Sequence, residues 1–207
     1  ELSITSFIKS DLESFYEVEL SDGTFFYYSN DGEHLFLGDL FRIEKDNLLN
    51  LSYAREKEKV FSALSDLDKN SAIKFPSQDK KYEVFIFTDV DCGYCRKFRR
   101  SLSKIENLRV YTFLYPILGD SSVTISKNVW CSENPSQTWD ELMLNDLEPS
   151  DIGTIPCKFD LERLLAIGRN LGIQATPTIF LSSGERLRGA ISEERLREKL
   201  DLISEGK

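Results

Sequence analysis

From Glu17 to Ile43 apolar and polar residues alternate in short runs, each closed by a turn signal. Glu17-Val18-Glu19-Leu20 alternates, and Ser21-Asp22-Gly23 follows it. Thr24–Ser29 is rich in aromatics and Asn30-Asp31-Gly32 is a second turn. His34–Leu37 and Leu40–Ile43 are two further runs, broken near Gly38. Side chains on a strand point alternately to opposite faces, so this period predicts short antiparallel strands. From Leu48 to Leu67 the period changes. Leu49, Tyr53, Val60, Phe61, Leu64 and Leu67 recur at spacings near three, four and seven, and Arg55-Glu56-Lys57-Glu58-Lys59 fills the other face. That pattern predicts a helix with a solvated charged side. Free of glycine and proline, it reads as a stiff connector.

Beyond it, Ala72–Phe75 and Tyr82–Phe87 read as strands. The second is nearly all apolar, as a central buried strand should be. Arg96–Ile105 is helical in pattern, with Phe98, Leu102 and Ile105 on one side, and Leu108–Tyr115 is another buried strand. Strand, Cys92-Gly93-Tyr94-Cys95, helix and strand make a βαβ unit. Ile117–Phe159 is a mostly helical, polar insert holding Val129-Trp130-Cys131 and Trp139–Leu144. Leu161–Leu171 is an amphipathic helix that Gly172 stops. Thr178–Leu181 and Arg186–Arg188 flank the Ser182-Ser183-Gly184 turn, and Ser192 is placed to cap a last helix.

The chain has 207 residues and a net charge of −9, with a sequence pI of about 4.8. The length allows one large domain or two small ones. With 41% hydrophobic and 29% charged residues, the composition is that of an ordinary globular protein. The acidic balance argues against a nucleic-acid partner, which calls for a basic face. No apolar run approaches the roughly 18 residues of a membrane span. The first residue is Glu1 and not Met, which points to a processed or trimmed chain. Processing would open the secretory route, where disulfides persist. The single histidine, His34, rules out histidine-rich metal sites and leaves one candidate for any Cys–His or Ser–His pair. The four cysteines are therefore the most informative residues.

Cys92-Gly93-Tyr94-Cys95 sits where a buried strand gives way to a helix. A cysteine there meets backbone N–H groups and the positive end of the helix dipole, which stabilise a thiolate relative to a free thiol of pKa about 8.5. Two intervening residues let the sulfurs close a small disulfide ring and reopen it by exchange. The first cysteine is expected to be the more exposed and more acidic attacker, and the second the sheltered resolving thiol. A zinc half-site and a static disulfide are the competing readings. Zinc would call for a second CxxC or Cys/His pair, whereas Cys131 and Cys157 stand far apart. Asp91 opposes a thiolate at Cys92 and Arg96, one turn along the helix, favours it. The dipole and Arg96 are expected to outweigh Asp91. Arg99 and Arg100 read as solvated face. Ala175-Thr176-Pro177-Thr178 leads into a strand, and Thr176-Pro177 taken alone reads as a trans turn, because only about 5–6% of X-Pro bonds are cis.

The order strand, CGYC, helix, strand, helical insert, helix, TPT, strand, glycine turn, strand, helix resembles the thioredoxin fold. More narrowly, Phe87-Thr88-Asp89 ahead of CGYC, Val129-Trp130-Cys131, and Leu171-Gly172-Ile173-Gln174-Ala175-Thr176-Pro177 are similar to the DsbC/DsbG family of periplasmic disulfide isomerases. Ser29-Asn30-Asp31-Gly32-Glu33-His34 through Gly38 resembles a hairpin of that family's dimerisation domain. The likeness spans nearly the whole chain and is tightest at CGYC and TPT. Asp91 and Arg96 depart from the family pattern.

The resemblance implies an α+β N-terminal dimerisation module with a small antiparallel sheet over residues 1–47. A linker helix follows over 48–70, then an α/β thioredoxin-like catalytic domain over 71–207 with its helical insert at 117–159. It implies Cys92 as nucleophile, Cys95 as resolving thiol, and Thr176 with a cis Pro177 facing them. No cofactor and no metal are implied. Expected partners are a second copy of the chain through residues 1–47, misfolded disulfide-containing proteins as substrates, and a membrane thiol reductant of the DsbD type, in the periplasm. A net reductase or oxidase, or a holdase chaperone with subsidiary redox activity, is the alternative. Cys131 and Cys157 are expected to form a structural disulfide within the insert, two separate buried thiols being the other reading. The aromatic load of Phe25, Phe26, Tyr27, Tyr28, Phe36 and Phe41 exceeds what one small core accepts. The surplus is expected to meet a partner surface or the chain's own helix.

Overall fold

A computed structural model describes residues 2–21, 23–45, 47–75, 82–151 and 157–204. The alternation near the start becomes an antiparallel sheet of β1 (Ile4–Lys9), β2 (Phe15–Leu20), β3 (Phe25–Ser29) and β4 (Leu35–Phe36), paired in that order. β1 precedes the first strand expected from the pattern. Its apolar Ile4, Phe7 and Ile8 do not alternate, and the register shifts between Ile4 and Ser6. Tyr27 is fully buried, with Phe25 edge-on to it and Phe36 stacked on it at 4.5 Å between ring centroids. β5 (Phe41–Glu44) and β6 (Asn47–Asn50) form a separate two-stranded ribbon.

The helix expected over Leu48–Leu67 is α1 (Leu51–Ser65), shorter at both ends. Leu48 and Leu49 suit either period, and strand β5 claims them as partners. The Asn50 side chain then accepts the Tyr53 N–H at 2.8 Å and starts the helix as its N-cap. Far from a free-standing connector, α1 is packed on two sides. Tyr27 Oη and Ser52 Oγ lie 2.6 Å apart, Arg55 pairs with buried Glu17, and Lys59 pairs with Glu19. On the other side Val60 and Leu64 enter a core with Phe85, Phe87, Phe113 and Phe180.

That core belongs to a five-stranded sheet. In chain order its elements are β7 (Ile73–Lys74), β8 (Tyr82–Thr88), α2 (Gly93–Leu102), β9 (Leu108–Leu114), α3 (Asp120–Trp130), α4 (Pro135–Asn145), α5 (Leu161–Asn170), β10 (Thr178–Leu181), β11 (Arg186–Arg188) and α6 (Glu193–Ser204). The strand order is β11-β10-β8-β9-β7. β8 and β9 are parallel, as a βαβ crossover requires, and the other pairs are antiparallel. Alternation along β8 sorts its side chains between two faces. Val84 and Ile86 meet Phe98 and Leu102 of α2 and Leu196 and Leu200 of α6. Phe85 and Phe87 meet α1 and α5, and stack on Tyr111 and Phe113 of β9 at 5.2 and 4.9 Å. The sheet is thus covered on both faces, with α1 completing one of them.

Two glycines make the helix-to-sheet approach possible. A Cβ on Gly168 in α5 would lie 2.1 Å from the Tyr115 ring. Gly184, at φ +83°, would carry a Cβ 2.1 Å from the Lys57 carbonyl oxygen, so only glycine lets the β10–β11 turn rest on α1. Arg186 reinforces this seam. Its Nε is 3.2 Å from Glu56 of α1, and its Nη atoms donate to the carbonyls of Leu171 and Gly172, at the head of the loop that leads to Pro177.

Candidate active site

Strand β8 runs out into Thr88-Asp89-Val90-Asp91, and its end decides where Cys92 sits. Asp89 is fully buried and its carboxylate is saturated with donors. Oδ1 accepts the Asp91 N–H at 2.9 Å and the Ser122 hydroxyl. Oδ2 accepts the N–H groups of Ile117 at 2.7 Å and Leu118 at 3.0 Å. One side chain therefore ties the turn before Cys92 to the loop after β9 and to the first turn of α3.

Cys92 is the N-cap of α2. Its sulfur accepts the Cys95 N–H at 3.2 Å, and its thiol donates to the Thr176 carbonyl at 3.3 Å. The same N–H also donates to the Cys92 carbonyl at 3.0 Å; a sulfur accepting a first-turn backbone N–H at the positive end of a helix is an arrangement that accommodates a thiolate. Both cysteines are free and buried, Cys92 7% and Cys95 2% exposed. The first sulfur is therefore not displayed on the surface as a helix-start position suggests. The insert covers it: Val129, Trp139, Leu142 and Met143 pack with Val90, Cys92, Cys95 and Leu114. Tyr94, between the cysteines, is by contrast well exposed.

Across from Cys92 the Thr176–Pro177 peptide is cis. The loop is held by Thr178 Oγ1, which donates to the Ala175 carbonyl at 2.7 Å. Burial, followed by the hydrogen bond with Cys92, pushes the Cys95 thiol up to about 12; Thr88, the Asp89 backbone and Thr176 offset this only in part. A folded-state value above that of the unfolded thiol, about 8.5, means folding favours the protonated form. The stabilisation is complete below about pH 8.5 and is lost as pH rises from there toward 12. With the CGYC pair reduced, urea unfolding should show stability falling by about 2 kcal/mol near pH 10 relative to the Cys95→Ala protein. Parallel pH profiles for the two proteins would contradict the assignment.

The Arg96 charge expected to act on Cys92 is shared with an acidic partner. Arg96 directs Nη1 to Asp146 at 2.9 Å and Nη2 to the Val90 carbonyl at 3.3 Å. Arg99 grips Asp140 of α4 with two bonds of 2.7 and 2.8 Å, and is thus not simply solvated face. Cys131 and Cys157 are joined in a disulfide with Cα atoms 5.8 Å apart, which closes the insert. His34 is exposed in the turn after β3. With Asp31 and Glu33 it forms the one group of three metal-ligand side chains found among the described residues; that group is separate from the cysteines. Asp89 and Asp146 are the site residues that pattern reading misses. Asp89 stands in the Phe87-Thr88-Asp89 run ahead of CGYC, a carboxylate just past an apolar strand, but that run alone assigns it no role. Asp146 carried no signal.

A thioredoxin-like domain model matches residues 69–204. The chain belongs to the thioredoxin-like family. A second model, the disulfide bond isomerase protein N-terminal domain, matches residues 1–52. Among curated relatives, "Probable thiol:disulfide interchange protein DsbC" of Bordetella parapertussis is 34% identical over 157 residues, 75% of this chain and 55% of that protein. The chain thus spans little more than half the length of that relative. "Thiol:disulfide interchange protein DsbC" of Escherichia coli K12 is 23% identical over 186 residues, 88% of this chain and 75% of that protein. A disulfide interchange protein from Neisseria gonorrhoeae has the same fold, with a TM-score of 0.60 at 24% identity, covering 65% of this chain and 96% of that one. No described helix is long and apolar enough to cross a membrane.

Proposed function

We propose that this chain is a thiol:disulfide interchange enzyme that isomerises non-native disulfides in exported proteins, with Cys92 as nucleophile and Cys95 as resolving thiol. The observation that carries the reading is the placement of the Cys92 sulfur, capping α2 on the Cys95 N–H and facing the Thr176–Pro177 loop. The Cys92 thiolate attacks one sulfur of a substrate disulfide. That S–S bond breaks, a mixed disulfide forms, and the departing substrate thiolate takes up a proton. Two exits follow. A second substrate thiolate can attack the mixed disulfide, leaving a rearranged substrate bond and a free Cys92 with no net electron transfer. Alternatively Cys95 loses its proton and attacks Cys92, releasing a reduced substrate and an oxidised CGYC pair. The high pKa of Cys95 disfavours the second exit and prolongs the mixed disulfide, which supports isomerisation over net reduction.

The N-terminal module supports assembly as a homodimer through residues 1–47. A two-stranded ribbon is marginal alone, and here it shows Phe41 at 49%, Ile43 at 78% and Leu48 at 64% exposure. β1 offers an edge strand on the same module. Tyr27 already meets Ser52 of α1 and stacks on Phe36, so the ribbon, more than the aromatic-rich β3, is the surface that calls for a partner. In the periplasm, a membrane thiol reductant of the DsbD type would return an oxidised CGYC pair to the dithiol. Refolding of a scrambled multi-disulfide protein, with oligomer mass measured on the same sample, tests both parts. The expected result is dimeric protein that restores native disulfides. Dimeric protein that prevents aggregation without rearranging disulfides would favour the holdase reading, and a monomer at micromolar concentration would remove the dimer.

A further inference from the structure

Arg96 is fixed at the mouth of the site by two contacts from different elements. Its N–H bonds to the Cys92 carbonyl at 3.1 Å in the first turn of α2. Its guanidinium reaches back to the Val90 carbonyl, two residues before Cys92, and outward to Asp146. Arg96 Nε has no hydrogen-bond partner, so the two Nη contacts decide where the charge rests. Asp146 is the C-cap of α4 in the left-handed region, φ +56°, and its other oxygen lies 3.8 Å from Arg100. One insert carboxylate therefore serves the two arginines that flank the open side of α2.

We propose that Asp146 is a positioning residue that sets how strongly the Arg96 charge favours a thiolate at Cys92. The inference rests on the interchange reading of the site. Held against Val90, the guanidinium lies beside the turn that presents Cys92 and supports negative charge there. Paired with Asp146, it supports less than it would alone. Asp91, exposed in the same turn, acts in the opposite sense to Arg96, and Lys97 and Arg100 in the same sense; the Arg99 charge is taken by Asp140. The insert thus does more than cover the cysteines. Through one carboxylate it attenuates a cation held beside the Cys92 turn, and so adjusts the reactivity of that thiol.

Opposite shifts from the two halves of the pair are the test. The variants are Asp146→Asn and Arg96→Gln in the full chain, with CGYC reduced and the Cys131–Cys157 disulfide intact. Asparagine tolerates the left-handed region, so the cap is retained. The readout is the rate of Cys92 alkylation by iodoacetamide at pH 7 and low salt, with site assignment by peptide mapping. Asp146→Asn should raise the rate about 1.5- to 5-fold and Arg96→Gln should lower it by a similar factor, the range expected of a partly exposed ion pair. The double variant should match Arg96→Gln alone, because Asp146 acts through the Arg96 charge, and added salt should shrink all the differences; a double variant back at the parent rate would mean two independent charges and overturn the proposal. A structural role alone would move both single variants the same way, in step with their melting temperatures. That result, or unchanged rates in both, would overturn the proposal. Should Arg96→Gln not fold, Asp146→Asn with its salt dependence decides. Equilibration of the parent protein with glutathione reports separately on the interchange reading: a CGYC pair that does not cycle between dithiol and disulfide would sink that reading, while the alkylation rates still decide the role of Asp146.

Discussion

Deletion of residues 1–49 should leave a folded chain, whereas deletion of residues 1–70 should abolish folding. The first cut removes both N-terminal sheets and keeps Asn50, which caps α1. The second removes α1 and with it Val60, Leu64 and Leu67 from the core that covers Phe85, Phe87 and Phe113. Burial of each such side chain stabilises by about 1.5–3 kcal/mol, so the three together account for about 5–9 kcal/mol. A whole domain is stable by only about 5–15 kcal/mol. Loss of α1 also uncovers aromatic surface on one face of the sheet and strands Arg186 without Glu56. Thermal melts with near-UV circular dichroism should show a cooperative transition for the shorter deletion and none for the longer. Equal, cooperative melts for both would mean that α1 is the connector its sequence resembles and not part of the core.

Asp89→Ala should cost about 3–5 kcal/mol and loosen the active-site turn. The alanine would leave three backbone N–H groups and the Ser122 hydroxyl facing a buried space without an acceptor. Each unsatisfied buried donor costs about 1–3 kcal/mol, and the four share one site, so the total is less than their sum. Asp89→Asn keeps the shape but sets an NH2 group against N–H donors, and should recover only part of the loss. Urea unfolding of both variants measures the ranking. A change below about 1 kcal/mol in Asp89→Ala would show that the carboxylate does not hold these three segments together.

Much of this architecture is legible because the relevant patterns are strong and local. The apolar run of β8, the helical period after it and the second apolar run specify a βαβ unit with little ambiguity. β10 and β11 begin and end where the turn residues around Gly184 place them. β1 is obscured because its apolar residues do not alternate, and the ribbon because Leu48 and Leu49 fit a helix as well as a strand. A helical period shows that α1 has an apolar face but not what covers it, so a core helix and a linker look alike. At the site, the two CGYC cysteines and the Thr176-Pro177 pair announce themselves by motif. The clamp on Asp89 comes from Ile117, Leu118 and Ser122, and the hold on Arg96 comes from Asp146. Those partners are set by tertiary contacts that no local period records.

The central claim is that Cys92 attacks substrate disulfides and that Cys95 releases the product. Reduced Cys95→Ala protein, mixed with a disulfide-containing peptide and quenched with acid, tests it most directly by intact mass and peptide mapping. The account predicts a persistent one-to-one adduct joined through Cys92, with Cys131 and Cys157 still linked to each other. No adduct, or an adduct on a cysteine of the insert, would contradict it.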